Sequence, residues 1–262
     1  MDSAPLRQLP LLDERAGDWQ VRRSLRARRL AVRVFRDGGV EIVAPQRASA
    51  AQIEAFVTRH RDWIDRQQAR HASAVAPFPP EALDLLALGE RWRCEAGAAP
   101  EGARRHGFIQ ALPCHMQVEA AGQRKPGGVL RLPAQVGEAR QRELLLDWLV
   151  RRATETLPGP LTVLAEGLGL PLQRVQVRRQ RTRWGSCSTR GTITLNVCLL
   201  FQPPEVVRYL YLHELTHMKH MNHSPRFWAA VARLEPAWRE LDGELARGWQ
   251  RVPAWLLSQL RA

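Results

Sequence analysis

The chain carries four of its eight histidines within eleven residues, in the stretch HELTHMKHMNH from His213 to His223, with one glutamate, Glu214, beside the first. On a helix His213 and His217 stand four residues apart, on one face and one turn from each other. Two imidazole nitrogens so placed can converge on one cation at roughly 2.0–2.1 Å each, the distance zinc requires of nitrogen. Glu214 is set about 100° round the axis from His213. There it is poorly placed to bind the same ion but can reach a water bound to it. The spacing reads as two metal ligands and one general base on a single turn.

A third ligand must come from outside that turn. His220 lies roughly 10 Å along the helix from His213, and three imidazoles in one column cannot surround an ion. His223 is better placed. Asn222 reads as a helix C-cap, and Ser224-Pro225 as the N-cap and first residue of the next helix, so the chain turns and brings His223 back. Glu235, Glu240 and Glu244 are the downstream alternatives. Three nitrogens holding one Zn2+ per chain leave a position for water, whereas a structural site usually closes with four protein ligands. Cys187 as a fourth ligand would displace that water. The expected chemistry is hydrolysis. Zinc lowers the pKa of its bound water toward ~7, and Glu214 takes the proton as a carbonyl or phosphoryl centre is attacked. Tyr209 and Tyr211 share the helix and read as core residues.

These residues need a frame. Pro203-Pro204 opens the helix, expected over 204–221. Before it, LQRVQVRRQ and TITLNVCLL read as strands on either side of an irregular loop, RTRWGSCSTRG. Helices are expected at about 137–156 and 160–168, the second stopping at Gly169. From Trp19 the chain reads as β structure. Leu30, Val32 and Val34 alternate, Asp37-Gly38-Gly39 signals a hairpin, and Val40 to Val43 forms the return strand. Ser49 and Gln52 form a capping box for a helix over 49–70, with Ile53, Phe56, Val57, Trp63 and Ile64 as its apolar stripe. Residues 71–82 read as a linker, and 83–133 as a small β meander. The expected organisation is α+β: a lead-in at 1–17, a β-rich region with one helix at 18–133, and a metallohydrolase domain at 134–262.

Composition sets outer bounds. Hydrophobic content of 45% and charged content of 25% suit a globular chain. No apolar run is long enough for a transmembrane helix, and the N-terminus lacks the pattern of a secretory signal. Cys94, Cys114, Cys187 and Cys198 are scattered, which points to reduced thiols and a cytoplasmic setting. The net charge is +13, carried almost wholly by arginine. Coding bias is one source. A surface for nucleic acid, phosphate or acidic peptide is the other. Arg179, Arg181 and Arg183, spaced by two, share a face if the strand continues, which reads either as a solvated face or as an anion site beside the metal. Arg22, Arg23, Arg26, Arg28, Arg29 and Arg33 admit the same pair of readings.

With RTRWGSCSTRGTITLN followed by HELTHMKHMNHSPRFW, the chain resembles the YgjP-like family of zinc-dependent metallopeptidases. The segments VRRSLRARRLAVRVFRDGGVEIVAP and FVTRHRDWI look like that family's opening, so the resemblance runs from Trp19 to Trp238. It implies a zincin-type domain with His213, His217 and His223 as metal ligands and Glu214 as catalytic base. The spacing is also similar to that of metzincins, but His220 stands where they have glycine. In related zincins a strand above the helix binds extended peptide by edge pairing. Thr192–Asn196 is the expected edge, with Thr192, Thr194, Asn196 and Trp184 as candidate substrate contacts. Trp184, Gly185, Ser186 and Cys187 read as the cleft wall, or else Trp184 as a core anchor and Gly185 as a turn residue. The leading function is therefore a zinc peptidase acting on a peptide or protein. A phosphohydrolase acting on nucleoside triphosphates is the first rival, and a nucleic-acid-binding module with a vestigial metal site the second.

Overall fold

The computed structural model describes residues 19–25, 27–35, 38–72, 77–97, 109–118 and 124–260. The 1–17 lead-in, Arg26, Asp37 of the hairpin turn and residues 73–76 of the linker lie outside them. The fold is α+β and divides into two units, residues 1–76 and 77–262.

In the first unit, β1 (Trp19–Ser24), β2 (Ala31–Val34) and β3 (Val40–Pro45) form a sheet with β3 in the middle. The β2–β3 pair is the expected hairpin, and β1 runs parallel to β3. The capping box forms as read: Ser49 N donates to Gln52 Oε1 at 2.8 Å and Gln52 N to Ser49 Oγ at 3.2 Å. It starts α1 (Ala50–Ala72), which lays Ile53, Val57 and Ile64 against Val40, Ile42 and Ala44. Trp63, expected in that stripe, is 41% exposed. It precedes Ile64 by one residue and so points about 100° away from the core. On the sheet's other face the buried Glu41 is paired with Arg22 at 2.9 Å and Arg33 at 3.8 Å.

The second unit opens with β4 (Ala82–Leu85), β5 (Glu90–Gly97), β6 (Gln110–Val118) and β7 (Arg124–Pro133). Their order is β4-β5-β7-β6, with β5 and β7 parallel, so this is not the expected meander. Leu83, Leu85, Trp92, Leu130 and Leu132 share one core with Leu145, Leu146 and Leu149 of α2 (Glu138–Thr156). Glu90, nearly buried, accepts from Trp92 Nε1 at 2.9 Å and is ion-paired with Arg152 of α2. With Leu83, Leu85, Trp92, Leu130 and Leu132 committed to this core, 83–133 belongs to the second unit. The division falls at 76/77, inside the stretch read as linker, rather than at 133/134.

After α2 come α3 (Pro158–Gly167), closed by Gly169 at φ 62°, and three strands, β8 (Arg174–Arg178), β9 (Gly185–Cys187) and β10 (Thr192–Asn196). β10 is central, parallel to β8 and antiparallel to β9. The strand expected through residue 200 ends at Asn196, and Val197–Phe201 form a buried 3-10 turn. Four helices follow: α4 (Pro204–Thr216), α5 (Pro225–Leu234), α6 (Trp238–Arg247) and α7 (Ala254–Leu257). α4 packs against α5, α6 and β9. No helix among the described residues is long and apolar enough to cross a membrane.

Candidate metal centre

The apolar positions of α4 explain where its functional side chains sit. Val206, Val207, Leu210 and Leu215 are buried, and Tyr211 Oη donates to the Leu157 carbonyl at 2.9 Å, which pins the helix to the α2–α3 junction. His213 and Glu214 then fall on the last turn, and His217 is its C-cap. The helix stops earlier than 221. Met218 N bonds Leu215 O at 3.0 Å and Lys219 N bonds Thr216 O at 3.1 Å, the tightened i to i+3 pattern of a helix end. The early turn brings the chain back so that His223 Nε2 lies 3.1 Å from His213 Nε2 and 3.1 Å from His217 Nε2. Ser224 caps α5 as expected, its Oγ accepting from Phe227 N. The buried Phe227 ring lies 5.0, 4.5 and 4.8 Å from the rings of His213, His217 and His223, so one apolar side chain backs all three.

Three imidazole nitrogens facing one point fit a divalent cation. Tetrahedral ligands at 2.0–2.1 Å stand about 3.3 Å apart, close to the spacings here. Burial, with a smaller contribution from the neighbouring imidazoles, pushes His213 down to about 3, and burial also lowers His217. Both rings are therefore neutral at physiological pH, as ligands must be. An all-imidazole set suits zinc among the divalent metals. The other candidates are elsewhere. His220 offers its backbone carbonyl to His217 Nδ1 at 3.0 Å. Glu235 pairs with Arg208 at 2.6 Å and Glu244 with Arg251 at 3.6 Å, and Glu240 is not in the cluster. The Cys187 thiol is pushed up to about 11 by burial and by the charge of Glu214, which keeps it protonated.

Glu214 is 4% exposed, and its Oε2 is buried with no hydrogen-bond partner among the described residues. Burial raises its carboxyl to about 8, and the charge of Arg183 pulls the other way. A buried carboxyl with an unanswered oxygen is costly for folding alone, which makes Glu214 a candidate functional residue. Gly185 makes room for it. A Cβ there would lie 2.7 Å from Glu214 Oε1 and 3.1 Å from its Cδ. Sequence reading assigned Gly185 to a turn or cleft wall. Its actual role, a close approach between β9 and α4, depends on residues 29 positions apart and has no local signature.

The expected substrate contacts fare differently. Trp184 is buried and stacks on Trp249 at 4.2 Å, so it anchors the core. Thr192, Thr194 and Asn196 lie on β10, which is paired on both sides and has no free edge. Thr194 Oγ1 accepts from Gln176 at 2.9 Å. Asn196 Nδ2 donates to the carbonyls of Gln180 and Arg183 at 2.7 and 2.6 Å, tying down the loop before β9. β8 ends at Arg178, so Arg179, Arg181 and Arg183 do not share a strand face. Of the three, Arg183 is the one whose charge reaches Glu214.

An α+β fold in which two imidazoles and a buried carboxylate at the end of one helix meet a third imidazole from beyond it is that of a metallopeptidase-like domain. The chain belongs to the YgjP-like metallopeptidase family, whose model matches residues 28–248. It is also similar to the crystal structure of the metallopeptidase zymogen of Pyrococcus abyssi abylysin, with 27% identity over 37% of this chain and 98% of that one, at a TM-score of 0.34. No curated protein matches the chain.

Proposed function

We propose that the chain is a zinc-dependent peptidase in which His213, His217 and His223 hold the ion and Glu214 is the general base. The observation that carries this reading is the buried Glu214 carboxylate, without a partner for Oε2, beside three nitrogens that meet at one point. A zinc ion held there supplies Lewis acidity to the attacked carbonyl and acidity to water. Glu214 accepts the proton of the attacking water and passes it to the leaving amine. Burial raises its carboxyl and the Arg183 charge opposes that, as the charge of a bound cation would, favouring the ionised form that accepts a proton.

Substrate is best received at β9. Ser188 N bonds Thr192 O and Asn196 N bonds Trp184 O, so alternation directs the N–H and C=O groups of Gly185 and Cys187 away from β10. An extended peptide pairing with that outer edge lies beside Glu214, which packs against Gly185. The peptide-binding edge therefore moves from Thr192–Asn196 to Gly185–Cys187. Neither rival gains support. The arginines spaced by two do not form a row, and in the N-terminal run Arg22 and Arg33 pair with Glu41 while Arg23 donates to backbone carbonyls.

The test is cleavage of a mixed peptide library by the zinc-loaded wild type and by Glu214→Gln. Internal peptide cleavage by the wild type that Glu214→Gln abolishes supports the reading. Release of phosphate from nucleotides with intact peptides would replace it.

A further inference from the structure

A histidine that binds metal through Nε2 carries its proton on Nδ1, and that proton needs an acceptor. For His217 the acceptor is the His220 carbonyl at 3.0 Å. For His213 the neighbour is the hydroxyl of Tyr209, with Oη 3.4 Å from Nδ1. A hydroxyl alone fixes nothing, because it can donate or accept. Asp242 removes the ambiguity. Tyr209 Oη donates to Asp242 Oδ1 at 2.8 Å, and an ionised carboxylate can only accept. With the single hydroxyl proton committed to Asp242, the Tyr209 oxygen is left to accept from His213 Nδ1–H.

We propose that Asp242 and Tyr209 form a positioning relay that holds His213 in the tautomer and orientation the metal requires. The proposal rests on the metal reading of the histidine triad. Tyr209 is fully buried and stands one turn before His213 on α4. Its ring meets the imidazole edge-on, with centroids 6.0 Å apart. Asp242 comes from α6, which packs on α4 and supplies no ligand of its own. Removing the hydroxyl leaves His213 Nδ1–H without an acceptor and lets the ring adopt the tautomer that presents Nε2–H to the ion. Replacing Asp242 by an amide lets that side chain donate to Tyr209, which reverses the direction of the relay.

The experiment measures zinc dissociation constants of the purified full chain by competition with a chromophoric chelator. The proteins are wild type, Tyr209→Phe and Asp242→Asn, each with the thermal midpoint of its metal-free form. Tyr209→Phe is expected to weaken zinc about 10–100-fold, the usual effect of losing a partner behind a ligand. Asp242→Asn shifts affinity in the same direction by a smaller factor. The absorption spectrum of the cobalt-substituted protein changes in both. A merely structural role would lower the metal-free midpoint and leave affinity and spectrum alone. Wild-type zinc affinity in both variants overturns the relay. If Tyr209→Phe does not fold, Asp242→Asn decides in the same way. A wild type that binds no zinc overturns the metal reading itself, and the relay with it.

Discussion

Two stretches meet at the candidate site, and they were written in different ways. Residues 204–224 are periodic: a Pro-Pro start, a buried stripe, imidazoles four apart and a serine cap. Residues 179–196 hold a three-residue strand, a glycine whose missing side chain admits Glu214, and an asparagine that ties down two carbonyls. The first stretch supplies the groups proposed to do the chemistry. The second supplies the wall against which that chemistry is held. Helical periodicity displays the reacting groups in one dimension, while the wall exists only through pairs distant in sequence.

The sharpest way to separate the two is to break each in turn. Glu214→Gln removes the base and keeps the shape. Peptidase kcat should fall about 10²–10⁴-fold, with zinc content unchanged by metal analysis. Gly185→Ala attacks the same carboxylate from the wall. A Cβ 2.7 Å from Oε1 must push the carboxylate aside, and a misplacement of about 1 Å costs about 100-fold in kcat while zinc affinity stays near wild type. Wild-type kcat in Gly185→Ala would separate β9 from the reaction.

Smaller effects are expected on stability. Asn196→Ala leaves the Gln180 and Arg183 carbonyls without their donor and should cost about 1–3 kcal/mol in chemical denaturation. The metal-free protein should also show the burial of Glu214. Its carboxyl is raised from 4.5 to about 8 in the folded chain, so between those values the native state keeps a proton that the unfolded chain has lost. That contribution is fully present below pH 4.5 and is lost as pH rises through 8. The lowered His213 and His217 act the other way, but only below about 6.5. From pH 6.5 to 8.5 the metal-free wild type should therefore lose stability relative to metal-free Glu214→Gln, at up to about 1.4 kcal/mol per unit. Parallel curves would mean the carboxyl is ionised throughout.

Sequence reading grouped the three histidines that the structure brings together because each of its clues was local: His213 and His217 by helical spacing, His223 by the cap at Ser224. It missed where α4 ends, because tight i to i+3 bonds after Thr216, not Asn222, make the turn. It also missed β9, since Gly185–Cys187 is too short to alternate. Trp184 was half read. Its core role depends on Trp249, 65 residues on, and its exposure could not be judged without that partner. The order of β4 to β7 was equally hidden, because a parallel pairing of β5 with β7 leaves no mark on either strand. Tyr209 was legible as a neighbour of His213 one turn away, but Asp242, 33 residues further along, was not.

The central claim is that three Nε2 atoms hold one ion. Its most direct test is the zinc stoichiometry of purified wild type, Glu214→Gln and His223→Ala after dialysis against a weak chelator. The account predicts one zinc per chain in the first two and none in the third. A His223→Ala protein that keeps its zinc as the wild type does would contradict it.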